Sequence, residues 1–240
     1  MDGERMNELA LFAGAGGGLL ASQLLGWRTV AAVEYSTWNA GVLAQRQNDG
    51  ILEPFPIWDD VRTFDGSQFR GVIDVVSGGF PCQAFSKAAR GRNIAEKNLW
   101  PEMFRVICDV EPRYVFGENV SRKAIDKACD DLESVGYETK AISLSTADLG
   151  GDHIRERFWL LAYADDHGEL LRGFDAEAFM RASISGGVWK TKPPNSGMDD
   201  GMAYRVERYT ATGNGWVPIV AVSALLALTS RYCGMKGEAS

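Results

Sequence analysis

Cysteine is scarce in this chain, and none of its four copies (Cys82, Cys108, Cys129 and Cys233) stands at a spacing that would pair it with another. Histidine is scarcer still, with only His153 and His167, both far from the cysteines. This spacing disfavours a zinc cluster, no metal is expected, and a reducing cytoplasm is the expected compartment. Long hydrophobic runs are also missing. The most apolar stretch, IVAVSALLAL at 219–228, is too short to cross a bilayer and reads as a buried helix. No charged segment followed by an apolar core opens the sequence, so neither a secretory signal nor a membrane partner is expected. Positive charge is in short supply: 25 Lys and Arg face 32 Asp and Glu, for a net charge of −7. That balance argues against nonspecific nucleic-acid binding, which needs cations to replace condensed counterions. No internal repeat is found.

What is present is an ordinary globular composition, 45% hydrophobic and 24% charged over 240 residues, enough for one α/β domain and a small appendage. Short apolar runs at 9–12, 29–34, 72–77, 114–118, 139–144 and 157–163 read as strands. Amphipathic stretches at 19–25, 38–47, 99–108 and 124–135 read as the helices between them. This alternation predicts a mostly parallel sheet flanked by helices. The pattern breaks after Tyr163. Residues 165–204 are rich in Gly, Asp, Ser and Pro, with a KPPNSG turn cluster at 192–197. The predicted division is a main domain over 1–164, a small irregular lobe over 165–204, and a C-terminal segment over 205–240 that returns to the main domain.

The first chemical signal is ELALFAGAGGGLLASQLLGW, a strand, a glycine turn and a helix. Glycines 14, 16, 17 and 18 allow a tight turn and close approach of a ligand beside a helix N-terminus. Glu34 ends the next strand, where a carboxylate can accept both hydroxyls of a ribose. These features predict an adenosine-type cofactor, although a glycine turn without a ligand has the same outline. Leu19 stands where a dinucleotide fingerprint requires its third glycine, which disfavours a nicotinamide oxidoreductase. The aminoacyl end of S-adenosylmethionine suits the loop better, with Phe12 packing on the adenine or the sulfonium.

The second signal is DVVSGGFPCQAF, which carries Cys82 past the end of a buried strand, where open α/β sheets place their ligands. A lone intracellular cysteine is usually a small buried hydrophobe, the reading that fits Cys108 and Cys129. Cys82 differs, because the following helix N-terminus and a cationic run can favour its thiolate. That run, 86–97, holds Lys87, Arg90, Arg92 and Lys97 against Glu96 alone. It is either a solvated loop or the one face through which an acidic protein grips a polyanion. FGENV places Glu118 at the end of another strand, where a closed pocket can keep a carboxyl protonated. GGDHIRERFWLLAY places Arg155 and Arg157 at the start of one more strand.

Together, these residues and their order closely resemble the cytosine-5 DNA methyltransferases, of which this chain looks like a small, phage-type or orphan member. The cofactor loop is seen as FAGAGG, the nucleophile motif as GFPCQAFS and the base-holding motif as ENV. The arginine motif is HIRER, and the closing motif is GNGWVP at 213–218. The resemblance covers roughly 7–163 and 198–230. It implies the Rossmann-like fold of S-adenosylmethionine-dependent methyltransferases, with S-adenosyl-L-methionine as cofactor and S-adenosyl-L-homocysteine as product.

By that resemblance, Cys82 attacks carbon 6 of a cytosine flipped out of double-stranded DNA, Glu118 holds ring nitrogen 3 and the exocyclic amine, and Arg157 holds the base O2. Asn119 and Arg155 brace the site. The cofactor falls to Phe12, Gly14, Gly16, Glu34, Asp60, Val61, Pro81, Leu99, Asn214 and Trp216. Gln83, Ser86, Lys87, Arg90 and Arg92 face the nucleic acid, on a segment that closes over it. The implied setting is the cytoplasm of a bacterial or phage-infected cell, with or without an accompanying restriction enzyme. One departure stands out. The family usually carries a sizeable target-recognition domain between the arginine and closing motifs, whereas the lobe here offers only Arg172, Arg181, Lys190 and Lys192 as cations. A short recognised site, a loosely specific phage-type enzyme, or completion by a second copy or partner subunit would each account for this. Two other functions remain open: an RNA (tRNA-type) cytosine methyltransferase using the same Cys82 and Glu118, and a non-catalytic DNA-binding partner on the same scaffold.

Overall fold

The computed structural model describes residues 5–81, 98–151, 154–164, 170–171, 174–179 and 215–229. The elements run β1 (Asn7–Leu11), α1 (Gly17–Leu24), β2 (Arg28–Val33), α2 (Thr37–Asn48), β3 (Ile57–Trp58) and β4 (Val75–Gly79). They continue with α3 (Trp100–Val110), β5 (Tyr114–Asn119), α4 (Arg122–Ser134), β6 (Glu138–Ser145), β7 (Glu156–Tyr163) and α5 (Pro218–Thr229). Seven strands form one sheet in the order β3-β2-β1-β4-β5-β7-β6. The first five pair in parallel, and β7 lies antiparallel to both β5 and β6. A mostly parallel α/β sheet was expected; the inverted β7 was not legible, because an apolar run carries no direction.

Alternation along the strands assigns the two faces. Leu9, Leu11, Val76, Val115 and Leu160 point to the side covered by α3 and α4, where they meet Met103, Val106, Ile125 and Leu132. Tyr114, Phe116, Trp159 and Leu161 point to the other side, against Ala21 and Leu25 of α1 and Val220, Ala224 and Leu225 of α5. A helix apolar on every side is expected to be largely buried, and seven of the twelve residues of α5 are buried, Ala227 being exposed. No helix among the described residues is long and apolar enough to cross a membrane.

Two strand boundaries differ from expectation. Val72 belongs to a turn, its N–H donating to the Phe69 carbonyl at 3.0 Å, so β4 begins at Val75. The strand then continues through Gly78 and Gly79, which pair with Gly117 and Glu118. Glycine's weak strand preference hides this end from the sequence. The two-residue β3 was not expected at all.

Glu8 sits fully buried in β1 facing α1. Ser22 and Ser77 donate to its Oε1 at 2.6 and 2.5 Å, and Thr29 donates to its Oε2 at 3.0 Å. Burial raises its pKa, against the pull of those hydroxyls. It ties β1, β2, β4 and α1 together one turn below the glycine loop.

Candidate active site

The carboxyl ends of β1, β2 and β4 open on a common cavity of about 630 Å³, within the range of small-molecule sites. Of the expected cofactor residues, Phe12, Gly14, Glu34, Asp60, Val61, Pro81, Leu99 and Trp216 line it. Gly16 does not. It stands one layer behind as the residue preceding α1, at φ 91°, where a Cβ would come within 2.8 Å of the Leu43 side chain. Its role is to let the chain turn. Asn214 lies outside the described residues, as do Cys82, Gln83, Ser86, Lys87, Arg90 and Arg92.

The glycine loop leaves β1 through Phe12, a non-glycine residue held at φ 54°. Backbone of this kind persists only where its surroundings enforce it, and it concentrates at functional sites. Glu34 supplies part of that enforcement. Its Oε2 accepts from Gly14 N at 2.7 Å, and its Oε1 accepts from Ser36 N at 2.7 Å and Asn39 Nδ2 at 3.2 Å. The carboxylate therefore welds the glycine loop to the start of α2. It keeps little acceptor capacity for two ribose hydroxyls, since Oε1 already carries two donors. Sequence reasoning missed Asn39, whose only signal is its place in the first turn of the helix following Glu34.

Asp60 closes the far wall. Its carboxylate is gripped by Arg62, with Nε at 2.9 Å from Oδ1 and Nη2 at 2.7 Å from Oδ2, and this partner lowers its pKa. Arg62 also lies over the exposed Tyr35 ring, 5.7 Å from its centroid, so the two frame the cavity mouth. Neither was singled out in the sequence. Arg105 of α3 holds the segment in place by donating to the carbonyls of Val61 and Phe64 at 2.7 and 3.0 Å.

The second half of the site is built on β5 and β7. Glu118 is buried with Arg157 Nε 2.9 Å from its Oε1, while Trp216 Nε1 donates to its Oε2 at 3.1 Å. Desolvation pushes its pKa up to about 7, overcoming the opposing pull of Arg157, Arg155 and the Trp216 hydrogen bond. The antiparallel pairing of β5 with β7 sets Glu118 opposite Trp159 and Asn119 opposite Phe158, which delivers the arginines at the start of β7 to the acid. Arg155 Nη2 donates to the Gly215 carbonyl at 2.5 Å, fastening the C-terminal segment. Asn119 Nδ2 donates to the Phe80 carbonyl at 2.8 Å, and Leu99 N donates to the Pro81 carbonyl at 3.1 Å. Both bonds hold the backbone immediately before Cys82.

Trp216 is the keystone, and three glycines make room for it. A Cβ on Gly17 would lie 2.2 Å from the Trp216 carbonyl oxygen, and one on Gly18 would lie 3.2 Å from its ring. On Gly79 it would lie 2.7 Å from Trp216 Nε1 and 2.9 Å from Glu118 Oε2. The glycine run after Gly16 thus serves a protein segment from the far end of the chain as well as the cavity. No group of metal-ligating side chains occurs among the described residues.

A family model described as C-5 cytosine-specific DNA methylase matches residues 6–195. Type II methyltransferase M.NgoMIV of Neisseria gonorrhoeae is 29% identical over 174 residues, which cover 68% of this chain and 53% of that protein. Type II methyltransferase M.PspPI of Psychrobacter sp. (strain TA137) is 35% identical over 138 residues, covering 53% of this chain and 32% of that protein. The chain therefore spans about half or less of the length of these curated relatives. The crystal structure of the S. pombe Dnmt2 methyltransferase superposes with a TM-score of 0.57 at 21% identity, covering 78% of this chain and 57% of that one. The architecture is the Rossmann-like fold of S-adenosylmethionine-dependent methyltransferases.

Proposed function

The chain belongs to the C-5 cytosine-specific DNA methylase family, and from that premise we propose that it methylates carbon 5 of a cytosine flipped out of double-stranded DNA, using S-adenosyl-L-methionine and a covalent Cys82 adduct. One observation carries the reading. A buried carboxyl with a pKa near neutrality, paired to Arg157, stands at the same sheet edge as Pro81, the residue that precedes Cys82.

An aromatic pyrimidine resists addition of a thiol. In its protonated form Glu118 donates to ring nitrogen 3 and accepts from the exocyclic amine, while Arg157 donates to the base O2, so charge entering the ring is stabilised where it develops. The Cys82 thiolate then adds to carbon 6, and carbon 5 becomes the nucleophile that would take the methyl group, the sulfonium sulfur leaving as the neutral thioether of S-adenosyl-L-homocysteine. Loss of the carbon 5 proton and expulsion of Cys82 restore the aromatic base. Asn119 and Arg155 position this apparatus through the Phe80 and Gly215 carbonyls. Lys87, Arg90 and Arg92, with Gln83 and Ser86, contact the DNA backbone and hold the flipped base.

The cavity fits the cofactor. Its volume suits an adenosyl group, Val61, Pro81 and Leu99 give it apolar wall, and Glu34 and Asp60 supply acceptors. S-adenosylmethionine, when bound, supplies an electrophilic methyl on its sulfonium. Glu34 would hold a ribose hydroxyl through Oε2 while continuing to hold the loop, Asp60 would hold the adenine amine, and the family pattern assigns Asn214 to the same cofactor. Glu34→Ala is expected to weaken cofactor binding by about 1–3 kcal/mol, the scale of lost charge-assisted hydrogen bonds. Calorimetry giving wild-type affinity would remove Glu34 from the site.

Residues 165–204 are assigned as a reduced target-recognition lobe beside a catalytic domain at 1–164. With few cations, the lobe reads a short site or shares the task with a second copy or partner subunit. Methyl-labelled cofactor offered with duplex DNA and with transfer RNA tests the substrate. Label is expected on duplex DNA, with bisulfite sequencing reporting the target; label on RNA alone would overturn the DNA reading.

A further inference from the structure

Beside Glu118 lies a second cavity of about 10 Å³, bordered by Glu118, Thr146, Arg155, Arg157, Trp159, Trp216, Val217 and Val220. That is the space one water molecule needs. Two buried polar atoms on its border, Trp159 Nε1 and Glu118 Oε1, make no hydrogen bond among the described residues. Arg157 Nε approaches Oε1 to 2.9 Å as an ion-pair contact without hydrogen-bond alignment. Buried polar groups are almost always hydrogen-bonded, and each exception calls for an explanation. Voids that remain dry are apolar, and this one, beside Val217, Val220 and the Trp216 ring, is bordered by a hydroxyl-bearing threonine, two arginines, an indole N–H and a carboxyl.

Register brings the two orphaned groups together. Glu118 and Trp159 are direct partners across β5 and β7, so their side chains leave the same face of the sheet about 5 Å apart at Cβ. The Trp159 ring cannot readily turn away. It stacks on Phe116 with centroids 5.4 Å apart and meets Trp216 edge-on at 5.0 Å. An indole N–H only donates, so its partner must accept, and a water can accept there while donating onward.

We infer that one buried water bridges Trp159 Nε1 and Glu118 Oε1, and that Trp159 is a positioning residue acting on Glu118 through it. Trp216 then fixes one carboxyl oxygen and the water fixes the other, so the plane of the acid is set before a base arrives. Among the described residues, the charged groups facing Glu118 are Arg157 and Arg155; Val217 and, from α5, Val220 add only apolar side chains. The inference rests on the reading of Glu118 as the acid that holds the cytosine.

The test is Trp159→Phe in the full chain, with kcat/KM for methylation of duplex DNA measured across pH beside wild type and Glu118→Gln. Loss of a donor to the carboxylate makes ionisation harder, so the alkaline limb should move up by about 0.5–1 pH unit. A limb and rate unchanged in Trp159→Phe, with Glu118→Gln impaired, would overturn the bridge and leave the reading of Glu118 standing. Wild-type activity in Glu118→Gln would overturn both. Should Trp159→Phe fail to fold, a high-resolution crystal structure of the wild-type chain decides. Density within hydrogen-bond distance of both atoms supports the bridge; a dry cavity, or Nε1 bonded to a protein acceptor, overturns it.

Discussion

Cys82→Ser should reduce methyl transfer below about one-thousandth of wild type, as the loss of a covalent nucleophile does elsewhere, while cofactor affinity stays unchanged. A cysteine ionises near pH 8.5 and its thiolate attacks readily; a serine hydroxyl in the same place has almost no anion available near neutrality. The Phe80 and Pro81 carbonyls accept from the Asn119 side chain and the Leu99 N–H, bonds that do not involve the side chain at 82. Apart from Pro81, the groups assigned to the cofactor belong to other segments. Filter-binding of labelled DNA measures transfer, and calorimetry measures affinity. Turnover within tenfold of wild type would remove Cys82 from the chemistry. Loss of both properties together would point to a damaged fold.

Glu118→Gln should lower kcat/KM by about 10²–10³-fold, the scale of removing one preorganised donor from a developing charge. The pH profile adds a sharper test. Wild-type Glu118, with its pKa raised to about 7, loses its donated proton above that pH, so wild-type kcat/KM should fall along an alkaline limb beginning there. Glutamine does not titrate, and the limb should vanish. The same group marks stability. Its folded pKa of about 7 exceeds the model-compound 4.5, so its contribution is complete below 4.5 and is lost as pH rises to 7. Linkage puts that loss at about 3 kcal/mol, measurable by urea denaturation at successive pH values and absent in Glu118→Gln. A wild type without an alkaline limb would mean that Glu118 works as a carboxylate.

The parts of this molecule that sequence exposes are those whose cause is local. Glycines 14 and 16 announced a turn because few other residues tolerate their positive φ. The almost wholly apolar 219–228, with Ser223 its one polar side chain, announced a buried helix because it offers no polar face to water. Glu34, Asp60 and Trp216 were legible by resemblance, and all three line one cavity. What stayed hidden depends on partners distant in the chain. Gly17 and Gly18 read as cofactor glycines and Gly79 as a residue beyond the end of its strand, yet each is also small because Trp216 passes against it. Glu34 read as a ribose acceptor, yet it spends most of its lone pairs on Gly14, Ser36 and Asn39. Arg62 and Tyr35 carried no motif, and only their meeting at the cavity mouth distinguishes them.

From sequence alone came the alternation of strands and helices, the glycine turn, the family, and the order of the motifs along the chain, because backbone preference and hydrophobic period act over neighbouring residues. The direction of β7, the raised pKa of Glu118 and the clamp of Trp216 were decided only by the tertiary structure. Each arises when segments about 40 to 100 positions apart exclude water from one another, and desolvation is a property of the assembled fold that no single stretch of chain possesses.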